Sequence, residues 1–396
     1  MARLDRTFAL DDFEALAKRR LPGPIFDFYA GGADDEHTLA LNRNAFRQVG
    51  WSPRALAGGA SPDASTLLLG RAVAMPVAVA PMGAVGYGCL DGDRAIARAA
   101  AQAGIPYILS TTATTTIEAI GEASAGAKWF QLYPLRQRDH MWRLLARALA
   151  AGFEALVVTV DVPVGGKRER DLRNDCAMPF RFTARNVAAF AARPRWALGM
   201  LRHGVPAMAN LAGLDPAGAR GSTLAPSVGA EFDPAFDWSG LAEIRRRWPG
   251  PLLVKGVLRP DDALRALRAG CDGLVVSNHG GRQLETGVPA LAALAAVLRA
   301  VGDKAQVFLD GGVRRGADVA KARCLGAAGV LVGRPLLFGA CVAGQAGAAR
   351  VLDILHDELI RTMRLCGAAN AAALTSELLW NAGIPAAPSN GQPPPT

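Results

Sequence analysis

Cysteine is scarce and unpaired in this sequence. Its six thiols, Cys89, Cys176, Cys271, Cys324, Cys341 and Cys366, show no CxxC pair and no regular spacing. That excludes a zinc ribbon or a disulfide framework and suits a reducing cytoplasm. An uninterrupted apolar run is also missing. The longest uncharged apolar stretch, 72–90, carries Pro76, Pro81 and three glycines, so a membrane-spanning helix there is excluded. The N-terminus has acidic residues from Asp5 onward and no apolar segment of the kind a signal peptide needs, so export is not expected. Acidic charge is the minority sign: 35 Asp and Glu stand against 44 Lys and Arg, a net charge of +9. The surplus points to an anionic partner. A nucleic acid is not expected, because the basic residues form neither a continuous stripe nor a recognition motif.

What is present is a repeated alternation. From Val77 onward, short runs rich in Val, Leu and Ile alternate with longer stretches of helical period, the pattern of parallel strands joined by crossover helices. Eight runs can be read: VAVAP from Val77, PYILS from Pro106, KWFQLY from Lys128, ALVVTV from Ala155, LLVKG from Leu252, GLVVSN from Gly273, QVFLDG from Gln306 and VLVG from Val330. Helix formers fill the gaps, as over 92–103, 139–151, 260–269 and 317–325. Eight strand-helix units in series predict a closed (β/α)8 TIM barrel. The competing doubly wound sheet lacks its Gly-rich turn after the first strand.

The barrel domain is expected over 1–384, with residues 1–76 as an N-terminal helical cap. The gap between the fourth and fifth runs, from Ala155 to Leu252, is far longer than the others, so an insertion is expected over 177–231. The five prolines from Pro385 to the end predict a disordered tail over 385–396.

Active sites of such barrels lie at the C-terminal ends of the strands. The polar residues ending the runs are therefore the candidates. They are Gln131 and Tyr133 after the third, Thr159 and Asp161 after the fourth, and Lys255 on the fifth. Ser277 and His279 end the sixth, Asp310, Gly311 and Gly312 the seventh, and Gly333 and Arg334 the eighth. One imidazole, one neighbouring carboxylate and several cations, without a metal-ligand cluster, suit an anionic substrate and proton abstraction.

The segment SNHGGRQL from Ser277, with DGGVRRGAD from Asp310 and GRP from Gly333, resembles the FMN-dependent 2-hydroxy-acid dehydrogenase and oxidase family. The resemblance runs from about Leu21 to about Gly367. It implies FMN as cofactor, a small (S)-2-hydroxy acid as substrate and His279 as the general base. It implies Asp161 as the partner of that histidine, and Arg168 and Arg282 as carboxylate-binding arginines. Tyr133 would contact the substrate. Lys255 would lie beside the flavin's N1 and C2 carbonyl. Pro81, Met82, Gly83, Ser110, Gln131, Thr159 and Ser277 would line the ring, Gly311, Gly312, Arg314, Gly333 and Arg334 would hold the phosphate, and Asp310 would belong to the same cofactor site. One position departs from the family pattern. Where a tyrosine usually hydrogen-bonds the substrate carboxylate, this chain reads Phe26-Asp27-Phe28-Tyr29, so either Tyr29 takes over, or Tyr133 with the arginines suffices, or the substrate sits differently.

The insertion bears on where electrons go next. Residues 177–231 hold six arginines against Asp215 and Glu231, interleaved with Phe180, Phe182, Phe190, Trp196, Leu198, Met200 and Leu201. Basic and large apolar residues together suit a segment lying in an anionic membrane interface; a solvated loop over the barrel mouth is the alternative. RPRWALGMLRHGVPAMANL from Arg193 and RERDLRN from Arg168 resemble the membrane-associated (S)-mandelate dehydrogenase branch. That resemblance implies an aromatic substrate before L-lactate, a quinone-type acceptor before oxygen, peripheral contact with the inner face of the cytoplasmic membrane, and a homotetramer. Gly83 agrees with that branch, since oxidases more often carry alanine there. An oxidase that forms hydrogen peroxide is the competing reading.

Overall fold

The computed structural model describes residues 4–57, 61–175, 183–214 and 231–381. Eight strands close into a barrel: β1 Val77–Met82, β2 Tyr107–Ser110, β3 Lys128–Leu132, β4 Ala155–Thr159, β5 Leu252–Val257, β6 Gly273–Val276, β7 Gln306–Asp310 and β8 Gly329–Val332. Each pairs in parallel with its sequence neighbours, and β8 pairs with β1 to complete the circle. The strands are buried on both faces, which is why each reads as a nearly continuous apolar run. Side chains alternate between the two faces. Ala78, Ile108, Trp129, Val157, Leu253, Val275, Phe308 and Leu331 fill the interior, and Trp129 meets Phe308 edge to face with centroids 5.7 Å apart.

The cap consists of α1 Leu10–Arg20, α2 Gly23–Ala30 and α3 His37–Arg47. The first barrel helices are α4 Gly92–Gln102, α5 Ile117–Ala123 and α6 Arg138–Ala150. The long excursion between β4 and β5 carries α7 Glu169–Arg173, α8 Ala184–Ala191 and α9 Pro194–His203. The remaining helices are α10 Trp238–Arg247, α11 Pro260–Arg268, α12 Ala290–Val301, α13 Gly316–Cys324 and α14 Arg334–Cys366.

The cap is not purely helical, contrary to the sequence expectation. Thr66–Leu68 and Arg71–Val73 form an antiparallel hairpin. Its turn residues Leu69 and Gly70 both have positive φ, 49° and 80°, as tight hairpin turns require. Leu68 and Val73 join the interior cluster and so plug the barrel end opposite the strand C-termini. A second ribbon pairs Val49–Trp51 with Leu379–Asn381, tying the cap to the far end of the described chain. The expected tail, 385–396, lies outside the described residues, as do 177–182 and 215–230 of the expected insertion.

α14 is long and apolar enough to cross a membrane by length and composition, but 61% of the relevant window is buried inside the fold. It also breaks at Ala343 and Gly344, whose φ values are −151° and +59°. It is a core element packed on α4 and α1.

Candidate active site

The loop after β6 carries Ser277, Asn278 and His279 into the barrel mouth. Asn278 pins it. Its amide exchanges reciprocal hydrogen bonds with the Asn42 amide of α3, at 2.8 and 2.9 Å, and it also donates to the Val288 carbonyl at 3.0 Å. The Gly281 N–H donates back to Asn278 Oδ1. Gly281 has φ +76°, and a Cβ there would sit 2.6 Å from the Leu39 nitrogen, so only glycine fits. His279 itself is held at φ +58°, an unusual conformation for a residue with a side chain. Its backbone N–H donates to Ser277 Oγ at 3.0 Å.

The imidazole lies between two groups. Nδ1 is 2.8 Å from Asp161 Oδ1, and Nε2 is 3.4 Å from the Tyr133 hydroxyl. The side chain is 20% exposed. Burial lowers the imidazole pKa below its ordinary value, against the opposing pull of Asp161, so the ring is neutral at pH 7 and competent to accept a proton. Burial would raise the Asp161 carboxyl, but Lys255 and then His279 outweigh it and hold it below its ordinary value.

Lys255 projects from β5, between the strands that carry Asp161 and His279. Its Nζ donates to Ser277 Oγ at 3.0 Å and lies 3.2 Å from Asp310 Oδ2 and 3.7 Å from Asp161 Oδ2. Ser277 Oγ donates in turn to Asp310 Oδ2 at 2.8 Å. Burial alone would lower the pKa of the ammonium; Asp161 and Asp310 outweigh that and raise it. Lys255 is therefore a fixed buried cation with two carboxylate partners, which makes its burial tolerable.

Tyr133, just after β3, stacks on Phe232 with centroids 4.2 Å apart. Its backbone N–H donates to Thr111 Oγ1 at 3.1 Å. Burial raises its pKa, so the phenol stays protonated and can donate.

Two guanidiniums, Arg168 and Arg282, lie close enough to Tyr133 and to each other to interact electrostatically. Arg168 precedes α7, and its Nε donates to Asp171 Oδ2 at 2.7 Å. Arg282 Nη1 donates to the carbonyls of Phe28 at 2.8 Å and Gly31 at 2.9 Å. Burial, then Arg168, lowers the Arg282 pKa to about 10. Both guanidiniums lie over the Phe28 ring, at 5.7 and 5.4 Å from its centroid. Tyr29 does not take over the missing hydroxyl of Phe28. It is buried, and its hydroxyl donates to the Ala84 carbonyl at 2.8 Å.

A basic pole lies further along the rim. Arg334, at the start of α14, donates to the carbonyls of Tyr29, Gly280 and Gly31. Its pKa is depressed well below the ordinary value by burial, then by Arg282, Arg314 and Arg43. Gly311 and Gly312 turn the chain after β7 with φ +106° and +84°, and a Cβ on Gly312 would meet the Asn42 carbonyl at 2.3 Å. Buried like charges beside glycine backbone and a helix N-terminus form an anion site suited to a phosphate.

Between the poles lie Pro81, Met82 and Gly83 at the end of β1, with Ser110, Gln131 and Thr159 on β2, β3 and β4. Ser110 Oγ donates to Gln131 Oε1 at 2.9 Å. Gln131 Nε2 and Thr159 Oγ1 are buried without a hydrogen-bond partner. A Cβ on Gly83 would fall 2.2 Å from Thr112 Oγ1, so a larger residue there would require Thr112 to shift. Orphaned buried polar atoms on the strand ends beside a basic pole fit a heteroaromatic nucleotide such as FMN.

The residues picked out from the sequence thus gather around one barrel mouth. Asn278, Asn42, Arg43 and Phe232 were not among them. Asn278 stands beside His279 in the motif and could have been suspected. Nothing local marks Asn42 or Arg43, which reach the site only because α3 folds back across the mouth.

Comparison with known proteins agrees with this geometry. A family model described as FMN-dependent dehydrogenase matches residues 17–381. An L-lactate dehydrogenase of Caulobacter vibrioides is 42% identical over 373 residues, 93% of this chain and 96% of that one. An (S)-mandelate dehydrogenase of Pseudomonas putida is 37% identical over 377 residues, 95% of each chain. Among solved structures, the monotopic membrane protein (S)-mandelate dehydrogenase superposes with a TM-score of 0.88 at 36% identity, covering 95% of this chain and 100% of that one.

Proposed function

Because the chain belongs to the FMN-dependent dehydrogenase family, a family of flavoprotein oxidoreductases acting on 2-hydroxy acids, we propose that it oxidises an (S)-2-hydroxy acid to the 2-oxo acid with His279 as base and passes the electrons to a membrane quinone. The observation that carries the reading is the contact between His279 Nδ1 and Asp161 Oδ1 at 2.8 Å. It keeps the proton on Nδ1 and leaves the Nε2 lone pair facing the mouth.

FMN, when bound, supplies the two-electron acceptor for the substrate's α-carbon. Gln131, Thr159, Ser110 and Ser277 would hold its ring, with Lys255 as the cation beside its N1 edge. Gly311, Gly312, Arg314, Gly333 and Arg334 would hold its phosphate. Arg168 and Arg282 grip the substrate carboxylate, and the Tyr133 phenol donates to the substrate oxygen. His279 Nε2 takes the hydroxyl proton, and the buried Asp161 carboxylate stabilises the imidazolium that forms.

The membrane reading is supported by α9. Leu198 and Leu201, one turn apart, are 63% and 83% exposed, and Val205 is 46% exposed. Arg195, Arg202 and His203 are exposed on the same segment. A soluble surface gains nothing from apolar side chains so displayed, whereas an anionic bilayer accepts both sets. The segment is firmly seated: Trp196 Nε1 donates to the Tyr87 carbonyl at 2.6 Å, and Asn210 accepts from the Ile117 N–H at 3.1 Å. On this reading the protein works from the inner face of the cytoplasmic membrane.

A mandelate-like substrate is favoured by the likeness to mandelate dehydrogenase. L-Lactate is the second reading, supported by the Caulobacter relative. Turnover of both acids with a quinone analogue under argon, set against peroxide yield in air, tests the acceptor. Abundant peroxide with poor quinone reduction would overturn the dehydrogenase reading.

A further inference from the structure

We infer that Phe28 is a positioning residue for the substrate's acid group, its ring and its backbone together holding Arg168 and Arg282 as a preformed pair. The inference rests on the proposed function above. Two guanidiniums brought together in a buried place repel each other, and neither would keep a fixed orientation unaided. Arg168 has Asp171 as its carboxylate partner, through Nε at 2.7 Å. Arg282 is held by backbone carbonyls instead. One of those carbonyls belongs to Phe28.

Phe28 thus touches the pair twice. Its carbonyl fixes the Arg282 fork at 2.8 Å. Its ring lies under both charges, 5.4 Å from Arg282 Cζ and 5.7 Å from Arg168 Cζ, where the negative face of an aromatic ring attracts cations. The ring is also packed edge-on against Tyr29, with centroids 5.5 Å apart, and Tyr29 is anchored to the Ala84 carbonyl at 2.8 Å. An edge-to-face aromatic pair anchored just past β1 therefore sets where the two forks stand before any acid arrives. The consequence for this chain is that the ring does the orienting without a hydroxyl, so acid binding rests on the charge pair.

The test uses the flavin-loaded protein and a non-oxidisable acid, oxalate, whose binding is read from the change in the flavin absorption band and needs no turnover. Phe28→Leu removes the ring and keeps the carbonyl. It should weaken oxalate and raise KM for the 2-hydroxy acid by about three- to thirtyfold, as loss of one or two cation–π contacts implies, with a smaller change in kcat. Phe28→Tyr and Phe28→Trp keep a ring and should bind oxalate as tightly as the wild type or more tightly. If the Phe28→Leu protein fails to hold flavin, the Tyr and Trp variants still decide the matter, since a tenfold loss of oxalate binding in both contradicts a ring-based role. Unchanged binding in Phe28→Leu, with normal binding by the wild type, overturns this inference alone. A wild type that binds no oxalate and oxidises no 2-hydroxy acid sinks the proposed function and this inference with it.

Discussion

Nδ1 of His279 lies 2.8 Å from Oδ1 of Asp161 across a sequence separation of 118 residues. The barrel explains the meeting. Asp161 follows β4 and His279 follows β6, and Lys255 rises from β5, which pairs with both. Three neighbouring strands thus deliver an anion, a cation and a neutral base to one rim, and each tunes the others.

The first prediction concerns pH. Burial holds His279 below its ordinary pKa of 6.5 while Asp161 pulls it upward. The acid limb of kcat/KM should therefore lie below 6.5 in the wild type. In Asp161→Asn the upward pull is gone, so the limb should move to lower pH. The rate should fall by roughly a hundredfold or more, because the imidazolium loses its counter-charge. A pH profile of both proteins checks this, and an acid limb that moves upward in the variant would be the wrong sign.

Arg282→Met removes a fork from the acid grip and leaves Arg314, Arg334 and the glycine backbone of the phosphate pole. KM should rise by roughly ten- to a hundredfold, the range of a lost charge-assisted hydrogen bond. Flavin content after gel filtration should match the wild type. Loss of flavin with an unchanged KM would move Arg282 from the substrate to the cofactor.

A third prediction concerns stability. Asp93 is fully buried at the start of α4, hydrogen-bonded by Tyr107 at 3.1 Å and Thr114 at 3.0 Å. Burial pushes its carboxyl from 3.8 up to about 6 despite those bonds. A raised folded-state pKa means that the native protein binds the extra proton between those two values, so this contribution is present at low pH and is lost as pH rises through about 6. Thermal melts of Asp93→Asn should lack that component of the decline. Parallel melting curves across the window would show that Asp93 titrates normally.

The membrane contact is testable without touching the site. Leu198→Asp combined with Leu201→Asp places two charges on the exposed apolar face of α9. The variant should stay in the supernatant when mixed with anionic vesicles, while the wild type sediments, and dye-linked turnover should persist. Sedimentation equal to the wild type would assign the face to something other than lipid.

The barrel was legible in the sequence because strands buried on both faces cannot hide their apolar runs, and the polar residue ending each run marks the rim. The hairpin at Leu69 and Gly70 was not legible, since its turn is unusual in placing a leucine at positive φ. The fate of Tyr29 was equally obscure. Adjacent helical residues point about 100° apart, so Tyr29 turns into the core toward Ala84 while Phe28 faces the arginines. Asn42 and Arg43 depend on α3 crossing the mouth, a tertiary fact without a local signal.

The central claim is that one neutral imidazole withdraws the proton that lets electrons leave the substrate. It is tested most directly by mixing the flavin-loaded protein anaerobically with a 2-hydroxy acid and following the flavin absorbance by stopped flow. The wild type should bleach within its turnover time, and His279→Gln, with the same flavin content, should bleach more slowly by roughly a hundred- to ten-thousandfold. Equal bleaching rates in the two proteins would contradict the account.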